Sequence, residues 1–377
     1  MLDRKHCTYR RNALRERAAR RGWDQAVISR SCHVYYLTGL LNPDPRTPSL
    51  LLVNMDGTDR LLVPQAQEMV AKACFGGEVI TYEDYSIEQI VFPLERMREA
   101  LFDLLAEGME GVCVGIEAPY LSTDLRDAVV EAGGTKGMLA DISPEIRSLR
   151  ACKDTDELSM IREAERLADA GYAAAIEAVQ PGRTEVEVYA DMQRAVVLVA
   201  GKPTPFAGDF LSGERTLQIG GGPTDRVLKA GDPFIFDLFP TYQGYWADTC
   251  RTFIVGGAPT AEQRKTYDVL RRALEVGEQR LRVGVKANEI YRTVYEAIAA
   301  EGLGKHFPHH AGHGIGLEAP EAPFLIPGSD EVLEEGMIVT LEPGVYIPDF
   351  GGMRLEDNYL ITGSGPEKLS FFPREWD

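Results

Sequence analysis

The sequence predicts two domains: an α/β domain over residues 1–145, then an α+β domain over 146–377 that repeats its own layout as an internal pseudo-two-fold. Three observations predict this. Short apolar runs bounded by Gly, Pro, Asn and Asp alternate with helical stretches in the first part. Two helices followed by a strand pair occur twice in the second part, with Gly182 and Gly284 at equivalent points about one hundred residues apart. The chain has 377 residues, beyond the size of roughly 250–300 at which one core stops growing.

In chain order, residues 9–21 read as a basic amphipathic helix. The runs A-V-I-S (26–29), Y-Y-L-T-G (35–39), S-L-L-L-V (49–53) and R-L-L-V-P (60–64) read as strands, with Gly57 in a hairpin turn. Residues 86–107 read as a helix, V-C-V-G-I-E (112–117) as a buried strand, and 122–133 as a helix stopped by Gly133. The pattern changes near Ser143-Pro144. Asp154 with Glu157 and Thr184 with Glu187 are capping boxes, opening helices that stop near Pro181-Gly182 and Gly201. A β region follows, in which 231–240 and 244–255 read as paired strands. Thr260 with Gln263 opens the second copy, a helix covers 287–301, and 336–347 with 352–362 read as its strand pair.

Bulk properties exclude several classes. The formal net charge of −18 opposes binding to nucleic acid or to an anionic membrane surface. The N-terminus lacks the apolar core of a signal peptide, and no apolar run is long enough to span a bilayer. The six cysteines are scattered without a C-x-x-C pair, which suits reduced thiols in the cytoplasm.

The chemistry concentrates in the second domain. Asp237 and Asp248 fall in the first strand pair and Glu342 and Glu356 in the second, so each acid has a counterpart about one hundred residues on. An aspartate within F-I-F-D-L-F is anomalous, because a buried carboxylate needs a partner or a metal. Any one of the four alone is equally well explained as a locally hydrogen-bonded edge residue, but four in symmetric places are not. Between them lies F-P-H-H-A-G-H-G-I-G-L (307–317), where glycines flank His313. These glycines are expected to make room for a metal or a substrate backbone. One imidazole and four carboxylates suit a pair of divalent ions, Mn²⁺ first and Co²⁺, Fe²⁺ or Zn²⁺ as rivals.

The motifs D-L-F-P-x-Y-x-G-Y-W-A-D-T-x-R-T, G-H-G-I-G-L, L-E-P-G-V-Y and M-R-L-E-D resemble those of the M24 metallopeptidases. That family includes Xaa-Pro aminopeptidases, prolidases and methionine aminopeptidases, and shares the "pita-bread" fold. Y-Y-L-T-G-L in the first half is similar to the creatinase/prolidase N-terminal domain, which favours the proline-peptidase branch. The resemblance implies a dinuclear hydrolase that cleaves Xaa-Pro bonds of dipeptides or short peptides through a metal-bridging hydroxide. Asp237 would bind one ion, Asp248 and Glu356 both, and His313 and Glu342 the other. Glu342 would also be the base. His309 is expected to border the substrate pocket, Arg354 to contact substrate or position the carboxylates, and Tyr346 to stand behind the site. The resemblance further implies a homodimer. His306 and His310 are expected to be structural or solvent-facing.

Two departures bear on substrate. Pro320 and Gly220 stand where the family usually carries histidines that touch the substrate. Loss of such a proton donor costs about 10²- to 10⁴-fold in rate. Glu318, Glu321 or His310 are the residues placed to substitute. Cys250 stands where the family often has threonine. The departures leave a second reading open: an M24-fold enzyme acting on a non-peptide small substrate, by other C–N amide hydrolysis or by a dimethylsulfoniopropionate lyase-type reaction. A non-catalytic binding module is the third reading, and five intact ligand positions argue against it. Dipeptidase and aminopeptidase activity are not separated by the sequence.

Overall fold

The computed structural model describes residues 2–106, 112–132 and 139–375. The chain forms two compact units, Met1–Arg150 and Ala151–Asp377.

In the first unit the elements are α1 (Arg4–Arg20), β1 (Gln25–Ile28), α2 (Ser31–Thr38), β2 (Leu50–Asn54), β3 (Arg60–Pro64), α3 (Glu68–Cys74), β4 (Glu78–Tyr82), α4 (Pro93–Ala106), β5 (Val114–Ile116), α5 (Thr123–Glu131), β6 (Leu139–Asp141) and α6 (Ser143–Ala151), whose last residue opens the second unit. The strands form one mixed sheet in the order β4-β3-β2-β1-β5-β6. Val27, Leu52 and Leu62 pack with Met97, Leu101 and Leu125 of α4 and α5 on one face. Their alternates Ala26, Leu51 and Leu61 are also buried, as befits strands covered on both sides.

Two of the expected elements differ. Tyr35–Gly39 is not a strand but the end of α2, with Gly39 in the left-handed conformation as its cap. The guanidinium groups of Arg10 and Arg11 on α1 donate to the carbonyls of Tyr36 and Leu37, which satisfies the end of that helix. Both arginines are buried, so α1 is not the plain amphipathic helix its basic sequence suggests. The helix expected from residue 86 begins only at Pro93, a residue suited to the first turn. Gly133 and residue 107, the expected helix ends, lie outside the described residues.

The second unit comprises α7 (Thr155–Ala178), α8 (Glu185–Ala200), β7 (Phe206–Ser212), β8 (Pro233–Tyr242), β9 (Tyr245–Trp246), β10 (Thr249–Ile254), α9 (Ala261–Arg280), α10 (Ala287–Ala299), β11 (His313–Gly314), β12 (Glu321–Phe324), β13 (Ile338–Leu341), β14 (Gly344–Ile347), β15 (Gly351–Arg354), β16 (Asp357–Thr362) and β17 (Gly365–Lys368). All three capping boxes form. The helix pair α7–α8 covers the sheet β10-β8-β7 through Tyr172, Met192, Phe210 and Phe236. The pair α9–α10 covers the sheet β12-β11-β13-β16-β17 through Leu270, Val294, Val339 and Tyr359. Each half is therefore a helical hairpin on an antiparallel sheet.

The second strand pair is more broken than expected. Pro343 has no N–H for a ladder, so β13 ends at Leu341 and β14 pairs only with β15 in a separate hairpin. Glu342 and Glu356 consequently sit at the breaks between strands rather than within them. Glu356 exchanges backbone hydrogen bonds with Cys250 of β10, at 3.0 and 3.4 Å, and this bridge joins the two halves beside the acids.

Candidate metal centre

Asp237 lies in the middle of β8, opposite Asp209 on β7 and Cys250 on β10. Asp248 immediately precedes β10, and His313 opens β11. With Glu342 and Glu356 these residues line one cavity of about 300 Å³. Asp248, His313 and Glu356 each offer an atom within 4.8 Å of the others. His313 Nε2 lies 3.4 Å from Asp248 Oδ2 and 3.5 Å from Glu342 Oε1. His313 Nδ1 stands 3.0 Å from the carbonyl of Gly314, where it can only donate, which leaves the Nε2 lone pair facing the acids.

The five residues fit divalent cations. All are buried, between 1% and 6% exposed. Asp237 Oδ1, Asp248 Oδ1 and both oxygens of Glu356 have no hydrogen-bond partner. Buried carboxylate oxygens without partners are costly, and a cation removes that cost. Burial pushes Asp237 up to about 6 against the opposing pull of Arg354. Burial, joined by the neighbouring acids, pushes Asp248 and Glu356 far above the usual carboxylate range. Burial also works against the Glu342 anion, but His310, His313 and His309 outweigh it and hold that carboxyl down to about 2. An oxygen-rich set with one imidazole suits hard or borderline ions.

The model of Metallopeptidase family M24 matches residues 159–363, which contain all five positions.

The chain belongs to metallopeptidase family M24.

The Creatinase/Prolidase N-terminal domain model matches residues 10–152 of this M24 enzyme. It is 30% identical to a Xaa-Pro dipeptidase of Pyrococcus horikoshii over 358 residues, covering 93% of this chain and 94% of the relative. The prolidase structure from Pyrococcus horikoshii OT3 superposes with a TM-score of 0.86 at 28% identity, over 98% of this chain and 100% of that one. A Xaa-Pro dipeptidase structure from Bacillus anthracis gives 0.87 at 26% identity, over 98% and 99%. The fold is thus a creatinase-type N-terminal domain followed by a pita-bread catalytic domain, and the enzyme is a metallopeptidase.

Around these five residues of the M24 domain, Arg354 at the end of β15 is the main organiser. Its Nη2 donates to Asp237 Oδ2 at 2.6 Å and to Asp209 Oδ2 at 2.9 Å. Its Nη1 donates to the carbonyl of Ile219 at 2.6 Å and to Tyr346 Oη at 2.9 Å. Tyr346 Oη in turn lies 3.2 Å from His309 Nε2, and His309 Nδ1 donates to the carbonyl of His310 at 2.7 Å. Burial lowers His309 to about 4, so it is the neutral acceptor in this chain. His309 therefore braces Arg354 through Tyr346, and it is not among the residues lining the cavity.

Both departures from the M24 pattern face the cavity: Gly220 and Pro320 line it. His310, expected to be structural or solvent-facing, lines it too. Its Nδ1 stands 2.9 Å from Glu342 Oε1, outside hydrogen-bond alignment. Burial disfavours the His310 cation, but the Glu342 carboxylate more than offsets this and raises its pKa. Glu321 is held by Lys153 at 2.7 Å. Of the residues weighed as substitutes for the absent histidines, His310 is the one on the cavity wall. Asp209 is a residue that sequence reasoning passed over. Its signal was the alternation in F-A-G-D-F-L-S, another acid among apolar strand residues.

The glycines around His313 have a more local reason than room for a metal. A Cβ on Gly312, whose φ is +151°, would lie 2.0 Å from the carbonyl oxygen of Thr340, and one on Gly314 would lie 2.2 Å from that of Ala322. Neighbouring strands occupy the space. Gly314→Ala should cost about 1–3 kcal/mol of stability by overpacking. Gly222→Ala, where a Cβ meets nothing within 4 Å, should change stability by less than about 0.5 kcal/mol. Urea titration of both variants measures the contrast, and equal midpoints would refute the close-approach account.

Proposed function

We propose that the enzyme hydrolyses the bond before proline in short peptides with two divalent ions, Mn²⁺ first among them. The observation that carries this reading is the convergence of Asp237, Asp248, His313, Glu342 and Glu356, with unpartnered oxygens, on one cavity. Asp237 would hold one ion, His313 and Glu342 the other, and Asp248 and Glu356 both. Bound there, the ions would supply Lewis acidity toward the scissile carbonyl and acidify a water molecule. The chain's own residues do the rest. Glu342, kept ionised by its imidazole neighbours, accepts a proton at its carboxylate. His310, whose Nδ1 stands 2.9 Å from Glu342 Oε1, would receive that proton after a small turn of its ring into alignment and pass it toward the leaving nitrogen. Arg354 holds Asp237 as an anion, and His309 and Tyr346 fix the guanidinium.

A cytoplasmic homodimer with neither nucleic acid nor membrane as partner completes the reading. The net charge of −18 supports the exclusion of polyanions, and no helix among the described residues is long and apolar enough to cross a membrane. One observation favours the second reading, a non-peptide small amide or a lyase-type substrate. Gly220 and Pro320 give the cavity wall no imidazole at two places where a prolyl substrate would meet one.

The test is release of the N-terminal residue from Xaa-Pro and Xaa-Pro-Yaa peptides by Mn²⁺-loaded enzyme. Turnover should be lost with chelator, and His310→Ala should lower kcat by about 10²-fold with little change in KM. No turnover at full metal occupancy would sink the proline reading and favour the second.

A further inference from the structure

The cavity contains an acid for which the metal set has no use. Asp209 stands directly across the β7–β8 ladder from Asp237, and like charges so placed repel. Arg354 reconciles them by donating from the same Nη2 to both. Its other amine is spent on Ile219 and Tyr346. Arg354 is 2% exposed, and both of its terminal nitrogens are engaged, which leaves only the buried Nε without a partner. The other cationic side chain on this wall is also matched, because His310 faces Glu342, while His313 is neutral and turns its lone pair to Asp248 and Glu342. Asp209 is held in turn, because its Oδ1 accepts the N–H of Gly221 at 2.8 Å. Gly220 completes the arrangement. A Cβ there would stand 3.1 Å from Asp209 Oδ1, so a large side chain at 220 would crowd the carboxylate.

We infer that Asp209 is a specificity residue. By occupying Arg354 and adding a negative charge to the wall, it directs the enzyme to substrates with no free carboxylate beside the scissile amide. This rests on the prolyl-peptide reading and chooses within it. The substrate class is the Xaa-Pro end of a longer peptide, or a prolyl amide, rather than a free Xaa-Pro dipeptide. A dipeptide brings its carboxylate within two bonds of the scissile nitrogen. Along this wall that anion meets Asp209 and finds each lining cation already paired. A peptide or amide carries a neutral carbonyl there, and its N–H can donate to the remaining lone pairs of Asp209.

The experiment compares Ala-Pro with Ala-Pro-NH₂ as substrates, and proline with prolinamide as ligands by calorimetry, on the Mn²⁺-loaded enzyme. The wild type should favour the amide by about tenfold or more in kcat/KM, with a matching preference in binding, because like-charge juxtaposition opposes the acid. Asp209→Asn keeps the shape and the Gly221 hydrogen bond but frees Arg354 from one anion. It should shrink the preference about tenfold, chiefly by lowering KM for the dipeptide. A wild type that prefers the free dipeptide overturns the inference, and so does a preference unmoved by Asp209→Asn. Binding of prolinamide over proline without cleavage of either peptide supports the inference and sinks the hydrolysis reading. Absence of both binding and cleavage ends both.

Discussion

Asp248→Asn should make the metal-free enzyme more stable while abolishing its stabilisation by Mn²⁺. Asp248 is 5% exposed, Oδ1 has no partner, and burial with neighbouring acids pushes its pKa far up. The folded state therefore binds a proton more tightly at this group than the unfolded state, whose aspartate titrates near about 3.9. Such a group costs nothing at low pH, and stability falls as pH rises from the unfolded value toward the folded one. Asp237, raised to about 6, and Glu356, raised further, have the same sign. Glu342, held at about 2, has the opposite sign: its contribution is present above the ordinary glutamate range and lost below it. Metal-free protein should thus lose stability between about pH 4 and pH 7, and Asn at 248 should return part of that loss. Saturating Mn²⁺ reverses the order. At a hundredfold excess over Kd it should add about 2.7 kcal/mol to the wild type, roughly 5–10 °C in Tm for the unit Ala151–Asp377 unfolding on its own. The variant should show little of that rise. Its activity should fall by about 10³-fold, the worth of several kcal/mol of Lewis acidity. Thermal unfolding with and without Mn²⁺ checks the stability terms. A variant less stable than wild type without metal, or one with the full Mn²⁺ shift, would refute the cation-site assignment.

What the sequence made legible is what short-range chemistry decides. The capping boxes at Asp154, Thr184 and Thr260 need only a residue and its neighbour three places on, and each one forms. The convergence of the four acids was legible because Asp237 breaks a local rule by standing among phenylalanines, and because each acid has a counterpart in the other repeat. The rest depended on distant partners. Tyr35–Gly39 has the composition of a strand, but its last turn is held as helix by Arg10 and Arg11, from an element more than twenty residues earlier. The strand readings of 336–347 and 352–362 put Glu342 and Glu356 within strands, whereas Pro343 breaks the ladder and leaves them at gaps. Asp209 stands out locally as an acid among apolar strand residues, but its register against Asp237 and its bond from Arg354 are set by distant partners. His310 and His309 differ by one position, yet one lines the cavity and the other braces Tyr346 behind it.

Arg354→Met should be the most destabilising single change at the site, for electrostatic rather than packing reasons. The methionine fills much of the stem's volume but removes four donated hydrogen bonds: to Asp237, Asp209, Ile219 and Tyr346. It also leaves Asp209 and Asp237 facing each other with no cation between them. Breaking a buried charge cluster from one side costs about 3–5 kcal/mol, roughly 6–20 °C in Tm for a domain of this size. Arg354→Lys should recover little, since one ammonium cannot reproduce a fork that serves two carboxylates, a carbonyl and a hydroxyl. The diagnostic variant is the pair Arg354→Met with Asp209→Asn. If the loss is mainly repulsion between the two acids, the second change should restore about 1–2 kcal/mol, within the range of coupling seen between contacting residues. Mn²⁺ should narrow the loss as well, because a cation on Asp237 takes over part of what the guanidinium did. A double-mutant cycle in urea, run with and without Mn²⁺, measures both effects. Strict additivity would mean that Arg354 acts through packing alone, and would leave the Asp209–Arg354–Asp237 cluster without its part in holding Asp237.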